Sequence, residues 1–432
     1  MPFLYDVGTG LYHTAIKLAA PWKLKAAAWL KGREGLWQRL EAKREQLQGC
    51  LWMHCASVGE FEQGRPVLEA IKKERPELPV LLTFFSPSGY EARKDFPLAM
   101  HVEYLPPDSK ANARKLQELV RPNAAIFVKY EFWYHHLQAL REAGTPTFLV
   151  SAVFRKDQPF FRWYGGAWRR MVKSFTQIFT QDQHSIDLLA GLGLRNVSVG
   201  GDTRFDRVAA IVADREEIPL AKAFAGAAPL LICGSTWPED ERLLAEALVG
   251  MGKAAPKCMV VPHELHEEQL EATEKRFPKP LARWSELENS EPANIASTLG
   301  IEPQGTLLVD RMGLLARLYR YGSVAYVGGG FTDGIHSILE AAAWGVPVIF
   351  GPKHKKFPEA QGLIDAGAGV AVANAAELKS ALDKWLGNAE TLEKASAAAR
   401  NFVQTRKGAA DAVARAVLAV SPFREEERRS DL

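Results

Sequence analysis

From residue 50 onward, short and mostly apolar runs alternate with stretches in which apolar positions recur every three or four residues. Leu51–Cys55, Val80–Phe85, Ala124–Val128 and Thr147–Val153 have the length and composition of buried strands. Between them, Arg65–Arg75 and Ser109–Val120 show helical spacing with charged outer faces. This alternation predicts parallel strands joined by helical crossovers, the doubly wound α/β arrangement. The pattern stops between Phe205 and Ala228. It resumes with Leu230–Gly234, Cys258–Val261, Leu307–Val309, Val324–Val327 and Val346–Phe350. The expectation is therefore two Rossmann-like α/β domains facing a cleft, with ligands beyond the carboxyl ends of the strands. A last helix, Ala410–Val420, can pack on either half.

The amino terminus departs from this pattern. Leu4, Val7, Leu11, Ala15, Leu18 and Trp22 form one stripe of a helix, and Lys17, Lys23, Lys25, Lys31 and Arg33 cluster near its end. Such a helix lies in a membrane surface or packs on its own domain. It is too short an apolar run to span a bilayer, and no secretory signal is expected, because Asp6 comes early with no clean apolar stretch behind it. The predicted boundaries are 1–48 for this segment, 49–205 for the first domain and 206–228 for a linker. The second domain follows at 229–408, then a helix and charged tail at 409–432.

Composition changes this picture little. With 47% hydrophobic and 24% charged residues in 432, the chain is globular and long enough for two cores. Disorder is expected only in the last ten residues, where Arg424–Arg429 is a run of charge. A net charge of +3 does not argue for a general polyanion binder, so any basic partner site must be local. The cysteines Cys50, Cys55, Cys233 and Cys258 are scattered without a C-x-x-C pair and read as buried structural residues, which favours a reducing compartment. No His/Asp/Cys cluster has metal-ligand spacing, consistent with a chain that needs no metal or cofactor.

Candidate chemistry gathers at strand ends. Glu60 follows Leu51–Cys55 in Ser57-Val58-Gly59-Glu60, where Gly59 allows a tight turn that carries the carboxylate to the top of the sheet. There it is either a general base or an ordinary first-turn helix glutamate. Glu131 ends Ala124–Val128 at the same edge, beside Phe132 and Trp133. In the second half, Gly328-Gly329-Gly330 closes a strand before a predicted helix, Ser337–Ala343. Backbone amides of such a loop can meet a phosphate, and Glu340, one turn into the helix, can meet ribose hydroxyls. Arg204 precedes the linker, where it either reaches a donor phosphate or is solvated. Six cations interleave with six aromatics from Phe154 to Lys173, a pattern that serves single-stranded nucleic acid, a phosphorylated lipid surface, or a charged helix burying its aromatic face.

Together these pieces resemble the Kdo transferases (3-deoxy-D-manno-octulosonic acid transferases) from Cys50 to about Ala371. The resemblance is carried by Ser57–Glu60, Thr83–Gly89, Tyr104–Asp108, Glu131–Trp133, Met312-Gly313 and Leu339–Ala342. It implies the GT-B glycosyltransferase fold, with an acceptor-binding first domain and a second domain holding the donor CMP-Kdo. It also implies a lipid A precursor (lipid IVA) as acceptor, no nucleic-acid partner, and a place on the cytoplasmic face of the inner membrane. Carried over, Glu60 matches the general base and Glu131 a carboxylate assisting the transition state. Nucleotide contacts would come from Pro262-His263, Met312-Gly313-Leu314 and Ser337-Ile338-Leu339-Glu340. Arg204, His263, Leu314 and Ser337 stand where the family usually has lysine, arginine, glutamate and asparagine. The implied reaction is inverting displacement at the anomeric carbon, with Arg204 and the Gly328–Gly330 loop stabilising the departing CMP. A UDP-sugar enzyme of the same architecture and a non-enzymatic surface-binding protein are the rival readings.

Overall fold

The computed structural model of the protein describes residues 2–214, 216–290, 305–420 and 423. The charged run 424–429 lies outside them. Two compact units divide the chain: residues 1–207 with 407–432, and residues 208–406. Each is built on a seven-stranded sheet with parallel pairing between neighbours.

In the first unit the strands are β1 (Leu51–Cys55), β2 (Val80–Phe84), β3 (His101–Tyr104), β4 (Ala124–Val128), β5 (Thr147–Ala152), β6 (Gln177–Thr180) and β7 (Val197–Val199). Their order is β3-β2-β1-β4-β5-β6-β7, so the direction of winding reverses between β1 and β4. The second unit has β8 (Leu230–Thr236), β9 (Lys257–Pro262), β10 (Leu281–Arg283), β11 (Thr306–Leu308), β12 (Val324–Val327), β13 (Val348–Phe350) and β14 (Gly369–Ala371). Their order is β10-β11-β9-β8-β12-β13-β14, and the reversal falls between β8 and β12. These reversals are where ligands of doubly wound sheets bind.

Central strands β1, β4, β8 and β12 are buried almost throughout, which is why they read as continuous apolar runs. The edge strands β3, β7, β10 and β14 are short and carry polar or half-exposed residues. Their pattern did not announce them. The interval expected as a linker carries two helices, Arg204–Ala213 and Pro219–Ala225. The last helix, Ala409–Leu418, packs on Val58–Glu74 of the first unit. There Val413, Val417 and Phe423 join the core cluster of β1 and β2. All four cysteines are buried and free, with Sγ of Cys233 and Cys258 3.5 Å apart.

Two helices begin elsewhere than their spacing predicts. The first crossover helix starts at Val58, ahead of the spacing seen from Arg65 and with Glu60 in its first turn, because Ser57 caps it by accepting the Gly59 N–H at 3.2 Å. The second starts at Leu339, not Ser337. The preceding residues are drawn back to the glycine loop by the N–H groups of Gly334 and His336, which donate to the carbonyls of Gly329 and Gly328.

The amino-terminal helix Pro2–Ala19 turns Val7, Leu11, Leu18 and the following Trp22 to solvent. Its other face is fastened to the first unit: Tyr5 Oη donates to Asp108 at 2.5 Å, and Asp6 meets His135 Nε2. Among the described residues no helix is long and apolar enough to cross a membrane. Within 154–173, Phe154 and Phe160 are buried, whereas Trp163, Tyr164 and Trp168 are exposed.

Candidate functional site

At the carboxyl edge of the first sheet, the elements after β1 and β4 bring acidic side chains to the point where the winding reverses. Glu60 is the third residue of the helix capped by Ser57, and its carboxylate accepts the Ser57 hydroxyl proton. Ser57 thus caps the helix through the Gly59 N–H while its hydroxyl holds Glu60, alongside any chemical role of that carboxylate. Gly59 has helical backbone with nothing nearer its missing Cβ than Ser57 Oγ at 3.7 Å, so the turn itself does not require glycine. Glu131 follows β4 and is buried. The intervening Lys129 is held at φ 69°, a left-handed conformation costing a non-glycine residue about 1–3 kcal/mol. Its N–H donates to Val150 O at 2.8 Å, which fixes the reversal that aims Glu131 back over the sheet.

Beneath these carboxylates lies a buried polar network. Trp52 Nε1 donates to Thr83 Oγ1 at 2.9 Å, and Thr83 Oγ1 lies 2.9 Å from His54 Nδ1. His54 Nε2 is 3.2 Å from Glu131 Oε2, which also receives Trp133 Nε1–H at 2.7 Å. Burial pushes the Cys55 thiol well up, and the negative charges of Glu131, Glu60 and Glu62 add to the rise. All three carboxylates thus act on the end of β1. Burial works against the Glu62 carboxylate, but hydrogen bonds from Arg93 and Arg207 outweigh it and hold that group below its usual range. Nearby, Thr203 Oγ1 donates to Gln63 O at 2.6 Å, tying the start of the Arg204 helix to the helix that carries Glu60. Arg204 itself embraces Asp202, Nη2 to Oδ2 at 2.7 Å and Nε to the same oxygen at 2.9 Å.

The reversal point of the second sheet is built differently. Ser235, at the end of β8, has φ 51°, and Trp237 opens the helix Pro238–Met251. Gly328, Gly329 and Gly330 follow β12. A Cβ on each would lie 2.3 Å from Ser235 O, 2.4 Å from Gly334 O and 2.5 Å from Gly351 Cα, so close backbone packing requires the glycines. The Gly328 N–H donates to Gly234 O and the Gly329 N–H to Asp240 Oδ2, both at 2.9 Å. Two of the three amides expected to meet a phosphate are thus engaged inside the unit. Burial pushes the Asp240 carboxyl up, against the lowering hydrogen bonds from Gly329, Tyr326 and Trp237.

Over this loop lies an aromatic stack. Trp237 Nε1 donates to His336 Nε2 at 3.0 Å. The exposed His263 ring, just past Pro262 at the end of β9, lies over both partners. Its centroid is 4.7 Å from Trp237 and 4.4 Å from His336, with planes within 27° and 22°. Burial, with His263 adding, holds His336 below the ordinary imidazole range. Met312 is exposed, and Gly313 turns with φ 81°, which does call for glycine; Leu314 precedes the short helix Leu315–Leu318. Ser337 is exposed, but the side chains of Ile338 and Leu339 are in the core, so only their backbone can meet a ligand. Glu340 lies in the first turn of Leu339–Ala343 and helps raise the buried Tyr319 phenol, whose main cause is burial. Among the described residues no group of three or more His, Cys, Asp or Glu is placed to hold a metal.

His54, Thr83, Trp237 and His336 were not expected from sequence. A signal existed for His54: a polar residue inside a strand otherwise buried on both faces must have a partner.

Residues 31–207 match the family model of 3-deoxy-D-manno-octulosonic-acid transferase (kdotransferase). The chain is 29% identical over 354 residues to the 3-deoxy-D-manno-octulosonic acid transferase of Aquifex aeolicus, covering 79% of this chain and 88% of that one. It is 26% identical over 434 residues to the enzyme of the same name from Bordetella pertussis, covering 93% and 97%. Among solved structures, a glycosyltransferase from Rickettsia africae superposes with a TM-score of 0.56 at 13% identity, over 87% of this chain and 100% of that one. That likeness bears on the fold, which is GT-B. With the acidic edge inside the matched residues and the relatives spanning both units, the chain is a glycosyltransferase similar to the Kdo transferases along most of its length.

Proposed function

We propose that the protein is an inverting transferase that moves Kdo from CMP-Kdo to a hydroxyl of a lipid A precursor, lipid IVA, in building the lipopolysaccharide inner core. The observation that carries this reading is the placement of Glu60 and Glu131 just after the neighbouring strands β1 and β4, at the reversal point of the first sheet and within the stretch matched by the family model. Glu60, half-exposed and held by the Ser57 hydroxyl, takes the proton of the acceptor hydroxyl as its oxygen attacks the anomeric carbon. Glu131 supplies fixed negative charge to the oxocarbenium-like transition state. The bond to the CMP phosphate breaks on the opposite face, and the leaving group departs as an anion. His263, held flat by its stack, is suited to meet that anion, and Arg204 can do so once it exchanges Asp202 for phosphate. Glu340 would hold the ribose. The displacement is written without a metal or cofactor, and an unchanged rate in excess chelator is the expected result.

The exposed stripe of the amino-terminal helix supports a place on the membrane surface, at the cytoplasmic face of the inner membrane, and exposed Trp163, Tyr164 and Trp168 supply a second apolar contact beside cations. Mass spectrometry of products from CMP-Kdo and tetraacylated precursor tests the reaction; absence of any Kdo adduct overturns it. Replacing Leu11, Leu18 and Trp22 with serine leaves the Tyr5 and Asp6 contacts intact and should shift the protein from vesicles of anionic lipid into solution.

A further inference from the structure

We propose that His54 is a positioning residue that grips the Glu131 carboxylate by one oxygen, in a tautomer set from behind by Thr83. The proposal rests on the reading of Glu131 given above, and the proton count follows from donor and acceptor chemistry. Trp52 Nε1 can only donate, so it fills an acceptor position on Thr83 Oγ1. The Thr83 proton then has two acceptors within reach, His54 Nδ1 at 2.9 Å and Met53 O at 3.4 Å, and the shorter contact takes it. With Nδ1 accepting, the neutral imidazole carries its proton on Nε2, facing Glu131 Oε2 at 3.2 Å. The single Trp133 Nε1–H lies 3.0 Å from His54 Nε2 and 2.7 Å from the same carboxylate oxygen, and the nearer, charged acceptor takes it.

The opposite tautomer would set the Nε2 lone pair against a carboxylate oxygen, with only the one Trp133 proton for both. His54 is completely buried, so water cannot relieve that repulsion. Every hydrogen bond to Glu131 among the described residues meets Oε2. The other oxygen, Oε1, is the one presented to substrate, and the ring that fixes it cannot swing because β1 holds it on one side and Thr83 on the other. His54 never touches the substrate.

Nitrogen-15 spectra of histidine-labelled full-length protein read the tautomer directly, with the His54 signal assigned by its absence in His54→Phe. The expected result is the Nε2–H form, moved toward a tautomer mixture by Thr83→Val and shifted by Glu131→Gln. A wild-type Nδ1–H signal would overturn the proposal. In the transfer assay, His54→Phe and His54→Asn should lower kcat by about tenfold to a hundredfold, beneath the ~10²–10⁴ of an acid–base group itself, with KM for CMP-Kdo little changed. His54→Gln, whose amide can put a donor where Nε2–H stood, should recover most of the loss. Equal rates for the asparagine and glutamine variants, both folded by thermal melt, would reduce His54 to packing. If the wild type makes no Kdo product, the transfer reading fails while the tautomer measurement still decides the hydrogen-bond chain.

Discussion

The two sheets share a winding pattern but finish their reversal points in opposite ways. In the first, the strand ends carry side chains with chemistry, and a buried chain of donors from Trp52 to Glu131 fixes them. In the second, the strand ends are backbone packed on backbone, with glycines where Ser235, Gly334 and Gly351 leave no space for a Cβ, and the polar groups lie above in a stack of rings. The first edge is arranged to hold charge in place. The second is arranged to let a flat or phosphorylated ligand come close. On the proposed reading, the same fold supports chemistry at one edge and recognition at another by changing what fills the turn after the strand.

The sharpest way to break this contrast is Glu60→Gln. Glutamine keeps the shape but cannot take the acceptor proton, so turnover should fall by about 10²–10⁴-fold. Protection by CMP against thermal unfolding should remain, since the proposed nucleotide contacts lie in the other unit. Near-normal turnover would move the base to Glu131. Glu340→Ala should do the reverse and abolish the CMP shift, which at a hundred times Kd is worth about 2.7 kcal/mol. Equal protection of the wild type by UMP would count against CMP-Kdo as donor.

A pair of glycines tests the backbone side of the comparison. Gly329→Ala places a Cβ against Gly334 O at φ 90°, and should destabilise by at least about 1–2 kcal/mol in denaturant unfolding. Gly59→Ala, in a helix with open space around it, should stabilise by about 0.5–1 kcal/mol. Equal effects would mean the two turns are not built differently after all.

The smallest effect concerns the stack. His336 is held below its ordinary range, so the folded protein keeps it neutral where the unfolded chain takes a proton. The stability it contributes is complete above about pH 6.5 and is lost as the pH falls through that value toward the lower folded one. His336→Asn should therefore show a shallower loss of Tm between pH 7 and 5 than wild type. Parallel slopes would remove the stack from the acid side of the stability curve.

Much of this was legible in the chain, and for physical reasons. The central strands and both acidic strand ends stood out because a strand covered on both faces must be apolar until it ends. Edge strands such as β7 and β10 did not, since three half-exposed residues carry no period. The Gly328–Gly330 turn was visible, yet its reason was not: sequence suggests amides waiting for phosphate, whereas Gly328 and Gly329 spend theirs on Gly234 and Asp240. His54 and His336 were passed over because a lone histidine, even one whose place in a buried strand calls for a partner, does not say which distant residue that partner is.

The last helix has a consequence for how the protein is made. Because Ala409–Leu418 belongs to the first unit, the whole of residues 208–406 is an insertion in it. The Asp206 carboxylate accepts from the Gly408 N–H, so the chain leaves the first unit and rejoins it at adjacent points. On the ribosome, the first sheet must wait for about 200 more residues, roughly 10–40 s at ~5–20 residues per second, before Val413, Val417 and Phe423 arrive to close its core. During that interval the nascent first unit shows an apolar face to the cytosol. It is then that a holdase has something to bind.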